Sequence, residues 1–146
     1  MKKVLVIAGL TASGKTSLSI EWAQLLNGQI INADSQQVYR GLDIGTAKIS
    51  EQEKMGVKHH LIDCVDYASS FNVKTFQSLC RQAIDDINAQ EQLPILVGGT
   101  GLYLKAALYD YEFKDENEET NLFESIPTSD LYQKLIKLDP SSCISI

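Results

Sequence analysis

An eight-residue run near the start of the chain constrains its fold more than any other feature. Residues 9–16 match the pattern G-x-x-x-x-G-K-[ST], with Gly9, Leu10, Thr11, Ala12, Ser13, Gly14, Lys15 and Thr16 in order. In such a loop, successive backbone N–H groups point at phosphate oxygens, and the following helix adds the positive end of its dipole. The lysine supplies a mobile charge, and the Thr16 hydroxyl is placed to bind Mg²⁺. The run therefore predicts a site for a di- or triphosphate group.

The residues on either side of this loop indicate an α/β fold. The apolar run Val4–Ala8 precedes it, which is typical of a strand buried on both faces of a parallel sheet. A helix follows the loop, and its predicted core face consists of Leu18, Trp22, Leu25 and Leu26. We therefore expect the P-loop NTPase-like architecture, a parallel sheet with flanking helices.

Later segments continue the alternation of strands and helices. Further strands are predicted at Ile30-Ile31, Leu61-Ile62 and Leu93–Val97. A long polar loop over residues 35–58 lies between the first two of them. Helices are predicted at Leu102–Leu108 and around Leu131–Leu138. A clear helical stripe is formed by Val73, Phe76, Cys80, Ala83, Ile84 and Ile87.

Several polar residues follow predicted strands. In a right-handed α/β sheet the carboxyl ends of the strands share one edge, where ligands bind. Asp34 and Asp63 are the two candidate acids at this edge, and each is also a possible strand-end cap. The run Gly98–Gly101 follows another strand, where glycines allow backbone to approach a ligand closely.

Two further groups of residues have an ordinary structural interpretation. His59 and His60 are neighbours in a predicted strand segment and face opposite sides, so they cannot bind one metal together. Tyr103, Tyr109 and Tyr111 could stack on nucleic-acid bases. Tyrosines at such positions are more often half-buried core residues.

The charge of the chain is unevenly distributed. The 146 residues have a formal net charge of −6, which argues against a nucleic-acid partner when taken alone. However, residues 1–107 contain ten basic and ten acidic side chains, so the whole excess lies in residues 108–146. The three cysteines form no C-x-x-C pair and indicate a reduced, cytoplasmic protein. No apolar run approaches the roughly 20 residues of a membrane helix.

Several segments together resemble the tRNA dimethylallyltransferases, the isopentenyl-diphosphate:tRNA transferases. The matching segments are residues 9–16, Asp34–Arg40, Gly41–Lys48, His59–Asp63 and Pro94–Tyr103, with a weaker match at Leu138–Pro140. The resemblance implies transfer of a dimethylallyl group from dimethylallyl diphosphate to N6 of adenine 37, in the anticodon loop of tRNA. It also implies Mg²⁺ as cofactor and a monomeric enzyme.

The resemblance implies a role for each matching residue. Asp34 corresponds to the carboxylate at the adenine N6, the candidate general base, and Thr100 to a hydroxyl at the reacting centre. Ser35, Gln36 and Gln37 correspond to residues that contact the tRNA, as do Asp34 and Thr100. Residues 9–16 would hold the diphosphate leaving group, with Thr16 binding the metal.

The resemblance also implies a division of the chain. Residues 1–108 correspond to the P-loop α/β core, and residues 109–146 to an acidic segment and the start of a helical insertion domain. Family members continue into a basic half that carries an arginine at the diphosphate and much of the tRNA-binding surface. We therefore expect this chain to correspond to the N-terminal half of such an enzyme and to have little activity alone.

Two alternatives remain at this point. A P-loop small-molecule kinase or NTPase would use the same loop to bind ATP. Such an enzyme needs a lid with arginines, and the only arginines here are Arg40 and Arg81. The second alternative is a phosphate-binding fragment without catalysis, which is supported by the expected lack of the basic half and its arginine.

Overall fold

Four parallel strands form the centre of the fold, and the computed structural model describes residues 3–109, 111–113, 123 and 125–145. The strands are β1 (Leu5–Ala8), β2 (Gly28–Asn32), β3 (His59–His60) and β4 (Leu93–Gly98). Three helices accompany them: α1 (Lys15–Leu25), α2 (Val73–Ala89) and α3 (Gly101–Leu108). The strand order is β1-β4-β2-β3, with every pair parallel. The predicted parallel sheet with flanking helices is confirmed.

Helices pack on both faces of the sheet. Adjacent residues of a strand point to opposite faces, so Ile30 packs with Ile20 of α1. Its neighbour Ile31 packs on the other face in the cluster that contains Phe76 of α2 and Ala107 of α3. The carboxyl ends of β1, β2 and β4 therefore meet at one edge, between two packed layers.

The stripe predicted for α2 is confirmed. Its buried side chains are Phe76, Cys80, Ala83, Ile84 and Ile87. The helix begins after Asn72, whose side chain accepts a hydrogen bond from the Thr75 N–H at 2.9 Å. This cap satisfies one of the N–H groups that a helix start leaves unpaired.

The core face predicted for α1 is wrong. The buried residues are Ser19, Ile20 and Ala23. The predicted face is largely exposed: Leu18 42%, Trp22 39%, Leu25 76% and Leu26 42%. Because α1 carries apolar side chains on both sides, their spacing does not identify the side that contacts the sheet.

Two strand predictions also need correction. Within the described part of the chain β1 pairs only with β4, and its residues alternate between half-buried and exposed. The expected burial on both faces is therefore wrong for β1. The third strand is His59–His60 rather than Leu61-Ile62. Leu61 has a positive φ of 57°, which is incompatible with an extended strand.

Residues 112–146 form a second compact unit. It contains a fourth helix, α4 (Thr128–Leu138), as the leucine spacing predicts, and a 3₁₀ helix at Ser142–Ser145. No residue of α4 is buried. The acidic run Asp115–Glu119 lies outside the described residues, and the assignment of 109–146 to an insertion domain stays a prediction.

No helix in the described part of the chain is both long and apolar enough to cross a membrane.

Candidate active site

The predicted phosphate loop connects β1 to α1. Gly14 is the N-cap of α1 and has a φ of 82°, in the left-handed region that side chains rarely adopt. Its turn allows the helix to begin at Lys15, so the unpaired N–H groups of the first helical turn lie at the loop. This is the geometry that binds a phosphate group.

The Lys15 side chain folds back over its own loop. Its ammonium donates a hydrogen bond to the backbone carbonyl of Leu10. An ammonium has three N–H donors, so this bond leaves donors for an anion. A diphosphate in the loop would compete with the Leu10 carbonyl for a mobile positive charge.

Asp34 lies two residues after β2, with its carboxylate oriented by the chain that follows. Oδ1 accepts hydrogen bonds from the backbone N–H groups of Gln36 at 2.9 Å and Gln37 at 3.4 Å. Both bonds go to one oxygen, so Oδ2 keeps its lone pairs for a proton or a substrate donor. The residue is half-buried, which allows access from a cleft.

Asn32 holds the backbone of Asp34 and was missed by the sequence reasoning. Its Oδ1 accepts from the Asp34 N–H, and its Nδ2 donates to the Asp34 carbonyl, both at 3.3 Å. Nδ2 also donates to the Leu61 carbonyl at 2.9 Å. Asn32 is only 7% exposed, and a buried amide needs such partners. A polar residue directly after the apolar pair Ile30-Ile31 was the available signal.

The glycines after β4 allow a close approach of backbone to backbone. A Cβ atom on Gly98 would lie 2.6 Å from the carbonyl carbon of Ala33, and one on Gly99 would lie 3.1 Å from the Gly9 carbonyl oxygen. The end of β4 therefore packs against the residue before Asp34 and against the phosphate loop. Thr100 follows as the N-cap of α3, and its hydroxyl makes no capping bond.

These segments enclose one cavity of about 200 Å³ at the carboxyl edge of the sheet. It is lined by residues from the phosphate loop, the end of β2, the long loop and the end of β4. They are Thr11, Ala12, Lys15, Thr16, Asn32, Asp34, Gln37, Thr46, Ala47, Val97, Gly98 and Gly99.

The predicted site residues divide into two groups. Thr11, Ala12, Lys15, Thr16, Asp34 and Gln37 line the cavity together. The other predicted residues do not line it, although each is close in sequence to one that does: Gly9, Leu10, Ser13, Gly14, Ser35, Gln36 and Thr100. The roles assigned to the residues of both groups stay predictions.

Of the two candidate acids, Asp34 lines the cavity and Asp63 does not. The Asp63 carboxylate instead pairs with the Lys48 ammonium, Oδ1 to Nζ, at 2.5 Å. Asp63 therefore has a structural partner, whereas Asp34 lines the same cavity as Lys15 and Thr16 of the phosphate loop.

The two histidines and Tyr103 have structural roles: both histidines are half-buried and hydrogen-bonded, and Tyr103 is buried. Nδ1 of His59 bonds the Val57 carbonyl at 2.8 Å, and Nε2 of His60 bonds the Gln29 side chain at 2.6 Å. Burial lowers the pKa of both imidazoles. Tyr103 is buried and stacks on Phe76, with ring centroids 4.2 Å apart. Tyr109 and Tyr111 are exposed, so the core interpretation is wrong for these two tyrosines.

The donor set of the cavity fits Mg²⁺. Mg²⁺ prefers oxygen ligands and uses one or two carboxylates together with phosphate oxygens and water. Thr16 lines the cavity and carries a hydroxyl oxygen, so it could hold Mg²⁺ together with the phosphate oxygens of a bound diphosphate. Among the described residues, no group of three or more His, Cys, Asp or Glu side chains could hold a metal ion.

Comparison with known proteins identifies the family. A family model described as IPP transferase matches residues 37–146. The chain belongs to the IPP transferase family.

Curated relatives agree with this assignment. The tRNA dimethylallyltransferase of Anoxybacillus flavithermus is 49% identical over 144 residues, covering 97% of this chain and 46% of the relative. That of Bacillus subtilis is 46% identical over 150 residues, covering 98% and 48%. The chain therefore spans about half the length of the curated relatives it matches.

Solved structures in the IPP transferase family share the fold. The full-length tRNA isopentenylpyrophosphate transferase of Bacillus halodurans has a TM-score of 0.77 and 43% identity, covering all of this chain and 50% of that one. A eukaryotic dimethylallyltransferase acting on tRNA has a TM-score of 0.78 and 38% identity, covering all of this chain and 38% of that one. The predicted P-loop NTPase-like fold is confirmed.

Proposed function

We propose that this chain forms the diphosphate-binding and acceptor-activating part of a tRNA dimethylallyltransferase. Its substrates would be dimethylallyl diphosphate and the N6 amine of adenine 37 in the tRNA anticodon loop. The observation that carries the proposal is the single cavity that joins Lys15 and Thr16 to Asp34, in a chain of the IPP transferase family.

In this reaction the phosphate loop binds a leaving group. The adenine N6 attacks C1 of the dimethylallyl group, so the N6–C1 bond forms while the C1–O bond to diphosphate breaks. Negative charge develops on the departing oxygen, and Lys15 with the N–H groups at the start of α1 stabilises it. Mg²⁺, held by Thr16 and phosphate oxygens, would neutralise further charge on the diphosphate.

Asp34 is the residue suited to remove the proton. N6 becomes positively charged as it attacks C1 and must lose one proton, which a carboxylate within hydrogen-bond reach can accept. The Gln36 and Gln37 N–H groups hold Oδ1, and we assign proton transfer to Oδ2. The target base must leave its stack to reach this cavity, as base-modifying enzymes require.

The use of both arginines argues against the kinase alternative. The Arg40 Nε donates to the Asp63 carbonyl at 2.8 Å. The Arg81 guanidinium donates to the Ala106 and Tyr109 carbonyls at the end of α3, at 3.2 and 2.5 Å. Neither lines the cavity, where a kinase lid would supply arginine to the transferring phosphoryl group.

Calorimetry of the purified chain tests the donor site. We expect dimethylallyl diphosphate to bind in the presence of Mg²⁺ and to lose most of its affinity in Lys15→Met. Lys54→Met is the matched control, since Lys54 pairs with Glu51 outside the cavity. Binding and hydrolysis of ATP, with no binding of dimethylallyl diphosphate, would favour a kinase or NTPase.

A chimera tests transfer to tRNA. This chain would replace the matching half of the Bacillus subtilis relative, and prenylated adenosine would be measured by mass spectrometry on unmodified tRNA. We expect the chimera to transfer the dimethylallyl group, and Asp34→Asn to reduce turnover by roughly 100-fold or more, with donor binding retained. Undiminished turnover would remove Asp34 as the base.

A cytoplasmic location remains part of the proposal, based on three free cysteines.

A further inference from the structure

A single lysine joins three parts of the long connection between β2 and α2. The Lys48 side chain is 4% exposed. Its ammonium donates to the Tyr39 carbonyl at 2.7 Å, to Asp43 Oδ1 at 2.7 Å and to Asp63 Oδ1 at 2.5 Å. An ammonium has three donors, so each N–H of Lys48 has a partner.

The joined segments form one wall of the cavity. Gln37 Nε2 donates to the Thr46 carbonyl at 3.0 Å, and the Asp63 N–H donates to the Gln37 carbonyl at 3.2 Å. Gln37, Thr46 and Ala47 all line the cavity opposite the phosphate loop. Lys48 follows Ala47 directly, and its ammonium bonds the Asp63 carboxylate. Gln37, Thr46 and Asp63 are therefore linked to one another and to Lys48.

We propose that Lys48 is a positioning residue that holds the Gln37 and Thr46 wall in the geometry needed to receive the acceptor nucleotide. The inference rests on the proposed function, because the wall would contact the nucleotide in that reaction. Lys48 itself does not line the cavity. It would therefore act through Gln37 and Thr46, not by direct contact with either substrate.

The start of the wall is tied to the segment after β3 by backbone hydrogen bonds, from the Cys64 and Val65 N–H groups to the Val38 carbonyl and from the Arg40 N–H to the Val65 carbonyl. Residues 41–47 contain no helix, and in the described structure their backbone hydrogen bonds are local; Lys48 through Asp43 and Gln37 through Thr46 join them to the rest of the wall. A segment held by so few side-chain contacts opens readily. Burial by itself lowers the pKa of Lys48, but the hydrogen bonds and charges of Asp43 and Asp63 outweigh it and raise the pKa. Lys48 therefore stays charged and keeps its three partners.

The experiment compares Lys48→Met with Lys54→Met in the full chain. Both variants lose one positive charge, but the Lys54–Glu51 pair is local, between residues three apart in one turn. We would measure amide hydrogen exchange over residues 36–47 in this chain, and the affinity of the chimera described above for an anticodon stem-loop RNA with unmodified adenine 37 at fixed salt. Affinity for dimethylallyl diphosphate with Mg²⁺ reports on the phosphate loop.

We expect Lys48→Met to speed exchange over residues 36–47 and to weaken RNA binding by roughly 10- to 100-fold. Diphosphate affinity should stay within about twofold, as the phosphate loop does not depend on Lys48. Lys54→Met should leave exchange unchanged and weaken RNA binding only slightly, by its charge. Asp63→Asn should act in the same direction as Lys48→Met, and the double variant should be no worse than Lys48→Met.

Other outcomes would overturn the inference. Unchanged exchange in Lys48→Met would show that the lysine does not hold the wall. Equal losses of RNA affinity in Lys48→Met and Lys54→Met would indicate a charge effect alone. If Lys48→Met fails to fold, Asp63→Asn decides the same question. Absence of RNA binding by the chimera without further substitutions would count against the proposed function, while the exchange data would still decide whether Lys48 holds the wall.

Discussion

Gly98→Ala tests the contact that places Asp34 beside the phosphate loop. An added Cβ would lie 2.6 Å from the Ala33 carbonyl carbon, 2.8 Å from the Ala33 Cβ and closer still to the carbonyl oxygen. Ala33 is fully buried, and its N–H donates to the Val97 carbonyl at 2.7 Å. The new Cβ would meet backbone atoms, which cannot move aside as the end of a flexible side chain can. Extra atoms in a packed core typically cost roughly 1–3 kcal/mol, so we expect the free energy of unfolding to fall by about 3 kcal/mol.

Thermal unfolding followed by circular dichroism measures this loss. At roughly 2–4 °C per kcal/mol for chains of about this size, the midpoint should fall by roughly 6–12 °C. Gly101→Ala is the control in the same loop, because a Cβ there meets nothing within 4 Å and the residue begins α3. It should unfold at or slightly above the original midpoint. Equal midpoints for the two variants would refute the close-approach argument.

Three further predictions concern buried groups. Asn32→Leu leaves the Asp34 and Leu61 backbone groups without their amide partner. Chemical denaturation should therefore show that the free energy of unfolding falls by about 1–3 kcal/mol. An unchanged denaturation midpoint would argue against a stabilising role of Asn32. Burial lowers the pKa of His59 and His60 below 6.5. The two neutral imidazoles therefore contribute their full stability above pH 6.5, and the protein should lose stability as the pH falls towards the pKa values of the folded state. His59→Gln with His60→Gln should flatten that part of the profile. Burial raises the pKa of Cys80 to about 12, so iodoacetamide at neutral pH should alkylate exposed Cys64 well before Cys80.

The predictable part of the fold is the part with short-range signals. The glycine and lysine spacing of residues 9–16 predicts a strand, a loop and a helix together, and β1, the loop and α1 occur there. The stripe around Phe76 and Cys80 predicts α2 and its buried face, because one side of that helix is apolar and the other polar.

The errors occur where the local pattern is ambiguous. In α1, Leu18 and Ile20 belong to different faces, and only the position of the sheet decides that Ile20 is buried. For the third strand, Leu61-Ile62 is more apolar than His59–His60, yet Leu61 has a left-handed φ while the histidines pair with β2. Tertiary pairing overrides local preference in both cases.

The supporting residues of the site could not be predicted because their partners are distant in sequence. Asn32 bonds the Leu61 carbonyl across 29 residues, and Lys48 pairs with Asp63 across 15. Neither contact leaves a periodic signal. Lys15 was predicted as a site residue from the phosphate-loop motif and Asp34 from the family resemblance, and both line the cavity. The residues that bond Asp34, Gln37 and Thr46 are recognised only in the folded structure.

What distinguishes prenyl transfer from phosphoryl transfer lies opposite the phosphate loop. A loop such as residues 9–16 stabilises charge on phosphate oxygens whether the phosphate moves or departs. Phosphoryl transfer needs further cations at the γ-phosphate. Transfer to an exocyclic amine, as proposed here, instead needs a proton acceptor near the carbon end of the donor, and Asp34 lines the same cavity as Lys15. The carboxylate in the cavity of the phosphate-loop lysine is therefore the feature that supports the proposed prenyl transfer.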